Sequence, residues 1–446
     1  MDPAEFLREE YKSVDAALKE TLRHDYGPTR GVDYFNECKF RLDEINETIE
    51  DPAGLDGPTI AAQLRSLSAL GSRICLIERS RLGEFSWPFA EAIREIAEKL
   101  FVERHLDGED YLPIVHVIAE GMHYQIVDDV QPPTGKRRIM VVAFPRQLKH
   151  HVLLHALFGH ELAHIAQASK GPGRVIALRV MSAMRTGAFS DETQATAWLR
   201  RSDAPHVIAS ELKAQPSYLF PAQSLQNWRI EIICDLFGLL LFGPSFAAAH
   251  RMILEPVSSD PAAFDLKSST HPPFSIRRRA ITQAMRLLGW HRPVSNAKDG
   301  DLNAAERKFL AYASETSKGK WQQIFSDNEL KIVLDRLSEI FRDHPQIRFS
   351  RPHNLQLKKL VEQLTLCRPP IVQAVGADGI AVLDSVRTIH CLYAGWTFWF
   401  GREKLRAAKL ANYPRLRELD FLNVNKLCDQ ALLQQKAIDL VKEASP

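Results

Sequence analysis

The stretch HHVLLHALFGHELAHIAQ, residues 150–167, constrains this chain more than any other. An apolar run with helical spacing belongs in a core, yet this one carries His160, Glu161 and His164. Residues four apart lie about one turn apart on the same helix face. His160 and His164 therefore present their imidazoles together, and Glu161 flanks that face. Two imidazoles so placed can share a zinc ion, and the adjacent carboxylate can take a proton from a zinc-bound water. Leu154, Phe158, Leu162 and Ile165 fall on another side and would pack the helix inward. The competing reading is a buried helix with ordinary structural histidines, and a third ligand would decide between the two.

Catalytic zinc needs three protein ligands and an open position for water. A second apolar run, RIEIICDLFG, supplies Glu231 and, four residues on, Asp235. Carboxylates inside so apolar a helix are costly unless paired or bound to metal. Glu231 is the candidate third ligand. Asp235 is the candidate second partner of a zinc histidine, accepting its other N–H and fixing its tautomer. A pair of solvent-facing carboxylates is the alternative, which Ile230, Ile232, Ile233, Leu236 and Phe237 make uncomfortable.

The 446 residues are too many for one ordinary core. A net charge of +2 argues against a general nucleic-acid binder, which would carry a marked basic excess, while leaving room for a local basic patch. The six cysteines are scattered without a CxxC pair, arguing against a disulfide framework or a cysteine zinc site. The N-terminal MDPAEFLREEYK lacks the basic and apolar segments of a signal peptide, and LFGLLLFG at 236–243 is too short to span a bilayer. The expectation is a cytoplasmic protein with reduced thiols and no transmembrane segment.

Up to about residue 108 the chain reads as four helices separated by turn signals. PIVHVIA (113–119), MHYQIVD (122–128) and RRIMVVAF (137–144) read as strands, the first two joined by a tight bend at Gly121. Pro145 is expected to open a long helix carrying the histidines. On a regular helix His155 would be turned away from His160 and His164, while His116 and His123 read as ordinary strand residues. The strand 137–144 is expected at a sheet edge beside the cleft, where an extended peptide could add to it. Residues 174–225 read as helical pieces broken by prolines, followed by a helix at about 226–243. After the polar stretch HRPVSNAKDGD (291–301) the chain is again mostly helical, with the aromatic run YAGWTFWF (393–400) read as core.

HExxH followed by ExxxD on a second helix resembles the gluzincin pattern. With the later THPPFSIRRRAI it is similar to the catalytic core of the CaaX prenyl proteases and HtpX-type peptidases. The matching pieces are His160, Glu161, His164, Glu231, Asp235, Thr270, His271, Pro272 and Arg277, within roughly residues 110–290. Cys234 stands where that group usually has alanine, and no transmembrane helices accompany the motif. The resemblance implies that His271, and with it Arg277, lies near the cleft and can stabilise an oxyanion or contact substrate. A turn residue before Pro272 is the plainer reading of His271, and a solvated helix face the plainer reading of the arginines.

The expected architecture is α+β and mainly α. It has a helical N-terminal domain (1–108), a zincin-like metallopeptidase domain with a small sheet and the HExxH helix (109–292), and a helical C-terminal domain (293–446). The expected function is a soluble zinc endopeptidase, with Zn2+ held by His160, His164 and Glu231, Glu161 as general base and a protein or peptide as substrate. The helical flanks point to a dedicated target or a regulatory partner, as in an effector of a stress or anti-phage response. A non-catalytic helical scaffold with a structural or vestigial zinc site is the alternative, and a hydrolase of a non-peptide amide is a third reading.

Overall fold

The structure is a computed structural model. It describes residues 2–24, 31–51, 54–79, 86–101, 103–104, 110–119, 121, 123–128, 137–168, 219–257, 271–272, 274–315, 327–342, 344–375, 381–384, 387–412 and 419–444. The architecture is α+β and mainly α. Its contacts divide the chain into two compact units, Met1–Ala90 with Ala97–Lys149 and Glu91–Ile96 with His150–Pro446. That partition follows other lines than a 1–108, 109–292, 293–446 division, because the strands share the core of the N-terminal helices.

In the first unit, α1 (Pro3–Thr21), α2 (Gly31–Glu50) and α3 (Gly57–Glu78) share one apolar core with a small sheet. Asp2 and Asp56 cap α1 and α3, each side chain accepting from a backbone N–H of the first turn. The buried residues recur at helical spacing: Leu7, Val14 and Leu18 on α1, Tyr34, Cys38, Leu42, Ile45 and Ile49 on α2. They meet Ile114, Ile118, Ile139, Val141 and Ala143 of the sheet in one apolar cluster. α4 (Trp87–Leu100) and the short pair β1 (Glu103–Arg104) and β2 (Asp110–Tyr111) precede that sheet.

The sheet comprises β3 (Ile114–Ala119), β4 (Gln125–Asp128) and β5 (Ile139–Phe144), in the order β3-β5-β4. β5 is parallel to β3, with Ile114 opposite Ile139, and antiparallel to β4, with Asp128 opposite Met140. Two expectations are corrected here. Gly121 does turn the chain, at φ 81°, but β3 and β4 are not a hairpin because β5 lies between them. β5 is the central strand, so its backbone is already paired on both sides and cannot receive an added peptide strand. Every residue of β5 is buried, the pattern of a strand covered on both faces.

His116 lies on the same face of β3 as Ile114 and Ile118, and its ring meets that of Tyr34 edge-on with centroids 4.9 Å apart. Burial pushes its pKa down from 6.5 to about 4. Between those two pH values the unfolded chain takes up a proton that the folded chain refuses. Above the unfolded value His116 contributes nothing to pH dependence. As pH falls through the window, stability falls by about 1.4 kcal/mol per pH unit, ~3 kcal/mol in all. Replacing His116 with leucine is expected to flatten this part of the acid slope in urea unfolding between about pH 7 and about pH 4.5. An identical slope in the variant would remove His116 as its source.

The second unit is built around α12 (Thr388–Asn412). It comprises also α5 (Phe158–Ala168), α6 (Leu219–Phe242), α7 (Pro244–Val257), α8 (Phe274–Leu287), α9 (Asp301–Ser314), α10 (Asp327–Ile340), α11 (Asn354–Thr365) and α13 (Phe421–Ala444). α12 packs against α9, α11 and α13. Its aromatic run is core: Tyr393 and Trp396 are fully buried and Trp396 stacks near Phe309 of α9, with centroids 6.3 Å apart. A hairpin of β6 (Val372–Val375) and β7 (Ala381–Asp384) interrupts the otherwise helical C-terminal region. The polar stretch 291–301 is tied down, with Glu306 accepting from Val294 N and Ser295 N at 2.8 and 2.9 Å. No described helix is long and apolar enough to cross a membrane.

The long helix expected from Pro145 does not form. Arg146–Leu148 and Val152–Leu157 are 3-10 turns, and the α-helix begins at Phe158. Tertiary bonds compete for the backbone here. Asn425 accepts from Leu153 N at 2.8 Å, and Trp396 Nε1 donates to Leu153 O at 3.3 Å. His155 therefore sits fully buried in a 3-10 turn rather than on the histidine helix.

Candidate metal centre

The centre lies where α5 meets α6, and two glycines allow that approach. A Cβ on Gly159 would come within 2.7 Å of Gly238 Cα, and one on Gly238 within 2.5 Å of the Phe246 ring. The first neighbour is backbone, so a methyl group at Gly159 would have to push the helices apart. Gly159 directly precedes His160, and Gly238 lies less than a turn beyond Asp235. The bare backbone thus brings together the faces that carry the polar residues, while Phe158, Leu162, Ile232, Ile233 and Leu236 are buried around them.

His160, His164 and Glu231 each offer a ligand atom, and those atoms lie within 4.8 Å of one another. The two Nε2 atoms are 3.0 Å apart. Each lies 3.3 Å from an oxygen of the Glu231 carboxylate. A tetrahedral ion with ligand bonds of about 2.0–2.1 Å has ligand–ligand edges of about 3.3–3.4 Å. The two nitrogen–oxygen separations fit that figure and the nitrogen–nitrogen one is shorter, and the group could hold a metal ion. Glu161, the next residue after His160, is half-buried.

Behind the ligands stands a fully buried carboxylate. Asp235 Oδ1 lies 2.9 Å from His160 Nδ1. Arg277, on α8, donates from Nε to Asp235 Oδ2 at 2.7 Å and from Nη2 to Oδ1 at 2.6 Å. With Nδ1 donating to Asp235, the Nε2 lone pair of His160 is left facing Glu231 and His164. Arg277 is itself buried, and two of its donor groups are committed to Asp235. It clamps that carboxylate, and its Nη1 lies 3.9 Å from Glu231 Oε2. His271 is exposed, with Nε2 3.5 Å from Glu231 Oε2. Thr270 lies outside the described residues, as does most of 174–225.

The electrostatics favour a cation at the ligand atoms. Burial alone would raise the pKa of Asp235, but the Arg277 guanidinium beside it holds it well below the usual carboxylate range. Burial likewise opposes ionisation of Glu231, yet hydrogen bonds from His160 and His164 keep it well below its ordinary value. For His160 burial disfavours charge, and hydrogen bonds to Asp235 and Glu231 outweigh it, raising the pKa to about 9. The carboxylates thus draw a proton onto His160 where a bound metal would supply positive charge instead. Burial, helped by the negative charges of Glu231, Asp235 and Glu161, pushes the Cys234 thiol well up. Burial lowers the pKa of His271.

Of two further residues in this surround, His250 carried no signal in the sequence, and Arg278 corrects the reading of the arginines as a solvated helix face, since both Arg277 and Arg278 are buried. His250, on α7, is fully buried with Nε2 3.5 Å from Asp235 Oδ1 and its ring stacked near Phe274. Burial lowers its pKa to about 4, so it faces Asp235 as a neutral imidazole. Arg278, beside Arg277, donates to the carbonyls of Ala247 and Ala313 at 2.7 and 2.6 Å. It is fully buried and ties α8 to α7 and to the end of α9. Only a tertiary structure separates these residues from the many histidines and arginines of ordinary helices. Compared with protein-family models, curated proteins and solved structures, the chain matches none, and its functional reading rests on the geometry of these side chains.

Proposed function

We propose that the chain is a zinc-dependent endopeptidase of the gluzincin type, acting on a protein substrate in the cytoplasm. The observation that carries this reading is the convergence of His160, His164 and Glu231, with Glu161 following the first of them. Two imidazoles and one carboxylate are a donor set that suits zinc and leaves a position open. A carboxylate that follows the first ligand as a candidate general base is superfluous in a purely structural site, which favours hydrolysis over a scaffold.

When bound, zinc would polarise a scissile carbonyl and make a water acidic enough to ionise near neutral pH. Glu161 takes the proton from the attacking water and passes it to the leaving amine. Glu231 contributes the negative charge among the ligands, and its low pKa keeps it ionised. Asp235 sets the tautomer and orientation of His160, and Arg277 fixes Asp235 in turn. His271, exposed beside Glu231, can donate to the oxygen on which negative charge develops.

The test is cleavage of a mixed peptide library by the purified protein, with new termini read by mass spectrometry. Cleavage should appear, vanish with a zinc chelator and return when zinc is restored. Zinc-loaded, folded protein that creates no new termini would favour the scaffold reading instead.

A further inference from the structure

The two histidines of the centre are backed by neighbouring residues of one helical turn. His160 Nδ1 lies 2.9 Å from Asp235 Oδ1, and His164 Nδ1 lies 3.5 Å from Cys234 Sγ. Both Nε2 atoms lie 3.3 Å from the Glu231 carboxylate. A neutral imidazole that turns its Nε2 lone pair toward a metal carries its proton on Nδ1, and that N–H needs an acceptor. Asp235 is the acceptor for His160. We infer that Cys234 is a positioning residue for His164, its sulfur accepting the Nδ1–H hydrogen bond and holding Nε2 toward the metal. This rests on the metal-centre reading above.

The charges around the site give a reason for a thiol at this position. Asp235 and Glu231 are two buried carboxylates, and Arg277 lies within 2.6 Å of the first and 3.9 Å of the second. A third carboxylate at position 234 would add another buried anion beside Asp235 and Glu231, which is costly. Alanine would leave the Nδ1–H of His164 without this acceptor. A thiol accepts weakly and carries no charge. The arrangement makes the two ligands unequal. His160, 9% exposed at its side chain, is gripped by a clamped carboxylate; His164, 36% exposed, has a softer support from a fully buried sulfur.

The full-length protein, stripped of metal, would be titrated with Zn2+ against a chromophoric chelator. Cys234→Ala is expected to weaken zinc affinity about tenfold to a hundredfold, with the metal-free variant still folded cooperatively in urea and its midpoint lowered only by the small buried cavity. Cys234→Ser places a hydroxyl acceptor there and should recover most of the loss. Alanine binding as tightly as wild type, or serine no better than alanine, would overturn the positioning role. Co2+ loading checks the geometry: wild type should show cobalt d–d bands without a sulfur-to-metal charge-transfer band. Such a band would make Cys234 a ligand and overturn the inference. Wild-type protein that binds neither ion would overturn the metal-centre reading and this inference with it. Equal affinity of wild type and alanine variant would overturn the inference alone.

Discussion

Replacing Glu161 with glutamine is expected to leave the metal content of the purified protein unchanged and to lower peptide cleavage by about 10²–10⁴-fold, the usual contribution of a general base. Glutamine keeps the size and shape of the side chain and removes only the ability to take a proton. The ligand atoms come from His160, His164 and Glu231, so the substitution spares them. Turnover of a fluorogenic peptide and elemental analysis of the same sample separate the outcomes. Retained cleavage would take Glu161 out of the chemistry. Joint loss of cleavage and metal would make it part of the metal-holding set.

Asp235→Ala should be the most damaging single change to the centre. It strands Arg277, which is buried and donates twice to that carboxylate. Removing one partner of a buried pair costs about 3–5 kcal/mol, because the remaining charge stays buried without compensation. It also releases His160 Nδ1, and losing such a support lowers metal affinity about 10–100-fold. Asp235→Asn keeps the shape and an acceptor oxygen while discarding the charge, so it should fall between wild type and alanine in both properties. Urea unfolding of metal-free protein measures the first, and competition with a chelator the second. An alanine variant as stable as wild type would mean that Arg277 finds another partner.

The helices were legible because apolar residues recur at 3.6-residue spacing on α1 and α2, and because α6 carries an almost continuous apolar run. The ligand pattern was legible too. His160 and His164 share a helix face at four-residue spacing, and Glu231 and Asp235 stood out as carboxylates in an apolar run. The break between Pro145 and Phe158 was not legible. The groups that claim the backbone at Leu153 come from Asn425 and Trp396, far away in the chain. The place of β5 had a sign that an edge assignment passes over: IMVVAF is apolar on both faces, as befits a central strand. Its parallel pairing with β3 is non-local, and no turn residue announces it. Gly159 and Gly238 read as ordinary small residues until the helices they join are seen in contact. Arg277 stands out in the sequence beside the THPP segment, but its commitment to Asp235 depends on the packing of α8 against α6.

The central claim is a metal held by His160, His164 and Glu231, and elemental mass spectrometry of purified wild type and Glu231→Ala tests it most directly. One zinc per chain is expected in wild type and a strong reduction in the variant, with both proteins folded. Folded wild type that holds no metal and cannot be loaded with zinc, or a variant that keeps its full complement, would contradict it.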